Sequence, residues 1–232
     1  MRTPAGVGLY VQFPSHRLDA LAHVDQAITK KTKVIIAQNT FGLPPNLDVL
    51  KKIADDNQIL LIEDCTHGFG GNYKGQLNGT IADASFFSTQ WNKPYSTGIG
   101  GFAVVKNAML AEKMKLLQQE AVEPSQKDKM VLKALMGAKK QLLNEHTYWL
   151  AVNLYRFLSR YNLILGSSQK EELEGPVMPQ NFLKKAAPLQ ARLGLQEFPK
   201  VDEVNDHRKN IANFYSTELE KLHLPTAPIP EG

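Results

Sequence analysis

Short apolar runs separated by amphipathic stretches set the narrowest limits on how this chain folds. "KVIIAQ" (33–38) has the look of a buried parallel strand, and "QILLIED" (58–64) is a second that ends in two carboxylates. Between them, after Pro44 and Pro45, residues Leu47, Leu50, Ile53 and Ala54 line one face of a helix. Ahead of the first run, Leu18, Leu21, Val24, Ala27 and Ile28 recur at the same helical spacing. "HGFGGNYKGQLNG" then reads as a glycine-rich loop with hairpin character, and "DASFFST" and "GFAVVKN" supply two further strands. This alternation predicts βαβ units and a mostly parallel sheet, a fold that binds ligands beyond the carboxyl ends of its strands.

The second half has a different pattern. A helix is expected over 109–120, and Pro124 and Ser125 open another, with Asp128 three residues on as its capping partner. The chain stays helical and basic to Tyr161; "GSSQKEELEGPVMPQ" is a loop, and 188–198 and 201–222 read as two more helices. We therefore divide the chain into an α/β portion, 1–107, and a mainly helical portion, 108–232.

Composition excludes several classes. A single cysteine, Cys65, rules out an intrachain disulfide framework and fits a reducing, cytoplasmic setting. One cysteine and six histidines show no zinc-type spacing. Neither a secretory leader nor a stretch of roughly eighteen apolar residues is visible, so no spanning helix is expected. The formal charge is 27 − 23 = +4, while 125–160 alone holds seven basic residues against Asp128 and Glu145. With the surplus confined there, nucleic-acid binding has little support.

Asp64 ends one strand, and Ser88 and Lys93 follow another, so the topology can gather them in one pocket. A lysine amine in a partly dry pocket can lose its proton and attack a carbonyl to form a Schiff base. A carboxylate at a strand end can hold a pyridinium nitrogen, and a hydroxyl beside backbone amides can bind phosphate. Together they suggest a pyridoxal phosphate site. The competing explanation is a structural carboxylate, a hydroxyl that satisfies loop backbone, and a lysine in water.

Three blocks carry a resemblance. "VIIAQNTFG" is similar to a strand leading to histidine or glutamine and then an aromatic-glycine pair. "LLIEDCTHGFGGNYKGQLNGTIADASFFST" runs from a Glu-Asp pair through glycine-rich loops to Phe-Ser. "STQWNKPYSTGIGG" places a lysine five residues after a serine and before a Thr-Gly-x-Gly-Gly turn. This order and spacing resemble the DegT/DnrJ/EryC1/StrS family of pyridoxal-phosphate-dependent sugar aminotransferases; "LQARLGLQEFPKVDEVNDHRKNIANFY" resembles its later helix pair more weakly.

The resemblance implies the large domain of an aspartate-aminotransferase-like enzyme, α/β with a mostly parallel sheet, plus a helical part of the small domain. It also implies truncation: family members carry an N-terminal segment with a Gly-Thr or Gly-Ser pair for the phosphate, and they continue past "LPTAPIPEG". Lys93 would anchor pyridoxal phosphate and shuttle protons, Asp64 would pair with the ring nitrogen, and Ser88 would bond the phosphate. His67 stands where glutamine commonly meets the phenolic oxygen, with a purely structural histidine as the alternative, and Gln38 is a candidate ring or substrate contact. Lysine at 93 favours transamination over the related dehydratases, which carry histidine there.

The implied reaction moves an amino group from an amino acid, usually glutamate, to a keto-sugar, expected to be nucleotide-linked, in polysaccharide or glycoside biosynthesis. A homodimer is expected. The alternative is an inactive or scaffold-type relative. Ile99 and Gln90 depart from the family's glutamate and histidine, and the asparagine lent across the dimer falls near Asn181 with spacing two residues off. The basic stretch 125–160 is either a solvated helical face, with Leu132, Leu135, Met136, Leu142 and Leu143 inward, or an amphipathic surface exposing Trp149, Tyr155 and Phe157 to anionic lipid or an acidic partner.

Overall fold

The computed structural model describes residues 7–11, 18–142, 144–161 and 183–226. Five strands form one sheet in the order β1-β2-β3-β6-β7: β1 Val7–Val11, β2 Thr32–Gln38, β3 Leu60–Asp64, β6 Ala84–Ser88 and β7 Gly101–Val105. The first four run parallel, and β7 closes one edge antiparallel to β6. Helices α1 (Leu18–Ala27) and α2 (Leu47–Asp56) are the crossovers, and a two-stranded ribbon, β4 (Asn72–Tyr73) with β5 (Gln76–Leu77), stands between β3 and β6. The α/β sheet expected from the apolar runs is therefore present. The five-residue β1 adds a strand to that reading.

Side chains alternate along a strand, so the sheet has two unlike faces. Ile35, Ala37 and Leu61 are fully buried on one, against Val24 of α1 and Leu47, Leu50 and Ala54 of α2. Burying each leucine contributes about 1.5–3 kcal/mol, so this layer carries the stability of the first half. Asn46 caps α2, its side chain accepting from the Val49 amide, and Tyr73 Oη donates to the same Asn46 Oδ1 at 3.0 Å, fastening the ribbon to the helix. On the other face, Val34, Ile36, Ile62, Ala84 and Phe86 are half-buried.

Helices follow: α3 Ala108–Glu120, α4 Gln126–Leu142, α5 Tyr148–Arg160, α6 Pro188–Glu197 and, after a 3-10 turn over Phe198–Lys200, α7 Val201–Lys221. Asp128 and Ser125 cap α4 as their spacing predicts, Asp128 accepting from the Ser125 amide at 3.0 Å and Ser125 Oγ from the Asp128 amide at 3.1 Å. The basic stretch is two helices, not one: Asn144 accepts from the amides of His146 and Thr147 and caps a new start. Leu132 packs inward, and Trp149 and Phe157 are exposed, but Tyr155 is half-buried. Leu143 and the side chain of Leu142 lie outside the described residues, as do Asn181 and the loop read over 166–180.

Candidate active site

Register assigns the polar residues to one face. Gln38 pairs with Asp64 and Asp64 with Phe86, so the parallel register sets Gln38, Asp64 and Ser88 on the same side at the carboxyl ends of three adjacent strands. That side is opposite the α1–α2 layer. Asp64 is 4% exposed, and both its oxygens are engaged: the Thr66 amide donates to Oδ1 at 3.0 Å and Gln38 Nε2 to Oδ2 at 3.3 Å. A carboxylate so held is a fixed charge in a dry place.

Glu63, its neighbour, faces the other way and has different work. Fully buried, it accepts from Asn39 Nδ2 at 2.9 Å and from the Gly79 amide at 2.8 Å. Asn39 follows Gln38, and Gly79 closes the ribbon loop, so Glu63 ties together the segments on either side of Asp64. Cys65 lies against it, and burial, with the nearby Glu63 and Asp64 charges, pushes its thiol far up, leaving it unreactive at neutral pH.

Lys93 comes from the loop between β6 and β7. Its amide donates to the Gln90 carbonyl at 3.0 Å, and the loop is pinned by Thr97 Oγ1 to Thr89 Oγ1 at 2.8 Å and by the Thr89 amide to the Gly100 carbonyl at 2.9 Å. Glycine is required where the loop rejoins the sheet: Gly100 has φ +119, and a Cβ on Gly101 would lie 2.2 Å from the Phe87 carbonyl oxygen. Burial holds the half-buried Lys93 amine below its ordinary value; Asp64 opposes that and Arg208 adds to it. The Gln90 amide donates to Ser88 Oγ at 3.4 Å, which leaves the hydroxyl proton available.

His67 is exposed and lies beside Phe41, ring centroids 6.3 Å apart and 19° from parallel. Partial burial, then Lys93, with Arg208 a further contributor, holds its ring below the usual range against the pull of Asp64. Phe41 is 89% exposed with φ +55, so the aromatic-glycine pair marks the rim of the site rather than its floor. All five residues singled out in the sequence thus border one region. Arg208, on α7, was not among them: it stands in the run His207, Arg208, Lys209, nothing in that run marks one cation over its neighbours, and only the packing of α7 brings it here.

The sequence model of the DegT/DnrJ/EryC1/StrS aminotransferase family matches residues 11–160. A GDP-perosamine synthase of Caulobacter vibrioides is 25% identical over 205 residues, 88% of this chain and 42% of that protein. A GDP-perosamine synthase of Escherichia coli O157:H7 is 35% identical over 94 residues, 40% of this chain and 26% of that protein. Among solved structures, Helicobacter pylori PseC, an aminotransferase involved in the biosynthesis of pseudoaminic acid, superposes with a TM-score of 0.57 at 22% identity, over 86% of this chain and 42% of that one. That likeness bears on the fold alone. The chain spans less than half the length of these relatives. Among the described residues no group of side chains is arranged to hold a metal, and no helix is long and apolar enough to cross a membrane.

Proposed function

Because this chain belongs to the DegT/DnrJ/EryC1/StrS aminotransferase family, we propose that it is the catalytic portion of a pyridoxal-phosphate-dependent aminotransferase that moves an amino group from an amino acid, glutamate foremost, to a keto-sugar, nucleotide-linked in the favoured case. The observation that carries this reading is the convergence of a dry, doubly hydrogen-bonded Asp64, a Ser88 hydroxyl and a lysine amine driven toward neutrality at one end of the sheet.

These residues suit the cofactor's chemistry. Asp64 can hold a protonated ring nitrogen, and its two engaged oxygens stop it from turning away. Ser88 can donate to a phosphate oxygen while the Gln90 amide fixes its rotamer. His67 can donate to the phenolic oxygen from the rim, and Gln38, by bonding Asp64, sets the tilt of that carboxylate. Lys93, neutral at a lower pH than an ordinary lysine, would anchor the cofactor through Nζ and, once the donor's amine has displaced it, would hold and move a proton on that nitrogen. The bound cofactor supplies an electron sink for the bond broken at the donor's α-carbon.

A homodimer belongs to the same reading. Phe102 and Val104 of β7 and Trp149, Leu150, Leu154 and Phe157 of α5 are exposed apolar groups that a second copy can cover.

The deciding experiment is spectroscopic. Wild-type protein mixed with pyridoxal phosphate should develop the visible band of a lysine-bound cofactor, and Lys93→Ala should not, with transamination falling about 10⁴-fold. Identical spectra for the two proteins would sink the proposal and leave a family relative that keeps the fold without the chemistry.

A further inference from the structure

We propose that Arg208 binds the carboxylate of the amino donor. This rests on the reading that Lys93 is the cofactor anchor.

The placement of Arg208 is built, not incidental. The first turns of α7 are docked on the loop that carries His67: Asn205 Nδ2 donates to the Phe69 carbonyl at 3.3 Å, and Val201 is 6% exposed. The approach is so close that a Cβ on Gly70, φ +76, would lie 2.2 Å from Asn205 Nδ2 and 3.0 Å from Val201 Cγ1. The same helix is held to the lysine loop as well. Phe198, just before α7, meets Tyr95 edge-on with centroids 6.2 Å apart, and Tyr95 stacks on Phe69 at 4.9 Å. Gln190 of α6 donates to the Ile99 carbonyl on the far side of that loop. Arg208 lies three positions beyond Asn205 and seven beyond Val201, hence on this docked face.

Its charge is unmatched. Lys200, Lys209 and Lys221 each have an acid one turn away on their own segment, Glu197, Asp206 and Glu218. Among the described residues no carboxylate pairs with Arg208. It acts on Lys93 and His67 across the site, making both harder to protonate. Asp64 is the one carboxylate that acts on both of them, and its oxygens are already bonded to Thr66 and Gln38. With Asp64 so engaged and Lys93 and His67 held toward neutrality, the guanidinium is the cation left to meet an anion at this site.

Geometry of the reaction selects which anion. The donor's nitrogen must reach the carbon that Lys93 holds, and its α-carboxylate is two bonds from that nitrogen. A guanidinium in electrostatic reach of Lys93 is therefore where the carboxylate arrives, and its planar fork fits two carboxylate oxygens. The diphosphate of a sugar nucleotide is separated from its reacting carbon by most of a sugar ring.

The test compares wild type with Arg208→Gln and Arg208→Lys, the positions being exposed enough to spare the fold, as far-ultraviolet circular dichroism checks. Glutarate, a dicarboxylate without an amine, is titrated calorimetrically into protein with and without pyridoxal phosphate. Cofactor affinity is read from absorbance, and half-saturation for glutamate from the half-reaction. Arg208→Gln should weaken glutarate and glutamate by about 10- to 100-fold, with cofactor affinity within about twofold of wild type, and Arg208→Lys should recover part of the loss. Unchanged glutarate binding overturns the inference. So does a loss centred on cofactor affinity, which would assign Arg208 to the cofactor phosphate, or one confined to the sugar nucleotide. A wild-type protein without the visible band defeats the proposed function instead, while glutarate binding still reports on Arg208.

Discussion

The β2–α2–β3 layer and the α3–α5 helices are built on opposite terms. In the first, Ile35, Leu47, Leu50 and Leu61 are completely buried within one chain, and α2 turns Leu47, Leu50 and Ala54 inward. In the second, α3 has no buried residue, and Met109, Leu116, Trp149, Leu150 and Leu154 are exposed. The contrast teaches that fold stability and candidate chemistry depend on one layer, while much of the helical half presents apolar surface that the described residues do not cover. A mutation in the two regions should therefore fail in different ways.

The largest effect tests the core directly. Leu50→Ala should cost about 2–5 kcal/mol, from lost transfer energy plus the cavity, read as a shift in urea midpoint. Next, Glu63→Ala should cost about 2–3 kcal/mol by leaving the Gly79 amide unpaired and Asn39 Nδ2 with only the Cys65 sulfur in a dry place. Because Asp64 stands on the strand Glu63 anchors, cofactor affinity should fall with it. A variant that loses stability but keeps full cofactor affinity would show that the placement of Asp64 does not depend on the Glu63 tie.

A pH measurement distinguishes the site from the surface. Lys93 has a lowered pKa in the folded chain, so between that value and the unfolded one the unfolded state binds more protons, and stability rises with pH through that window. Acylation of Lys93, followed by peptide mapping, should accordingly begin at a lower pH than for an ordinary lysine. Arg208→Gln should move the Lys93 profile back upward, since one of the causes is removed. The smallest effect belongs to α5. Leu154→Ala should change unfolding by less than about 0.5 kcal/mol yet weaken self-association in sedimentation. A core-sized loss of stability there would break the comparison.

Much of the site was legible because it is local. The strand runs, the carboxylate at the end of "QILLIED" and the lysine before the glycine turn are patterns within a few residues, and the parallel register then follows from the crossover helices. Other features depend on distance. The strand over Val7–Val11 was missed because a five-residue edge strand holding Gly8 is too short to show a clear period, although Pro4, Gly6 and Pro14 flank it. The opposed roles of Glu63 and Asp64 were hidden in an adjacent pair, although strand alternation implies them. The half-burial of Tyr155 depends on which side of α5 meets protein, and helical spacing cannot say that.

By itself the sequence determined the class of fold, through backbone periodicity, and placed candidate groups for the chemistry, Asp64, Ser88 and Lys93, at or after strand ends. Only the tertiary structure decided which charges share a site. Arg208 is 115 positions after Lys93, and electrostatic interaction falls with distance in space rather than along the chain. The docking of α7 through Gly70, Asn205 and Phe198 is what brings Arg208 within electrostatic reach of Lys93 across that separation.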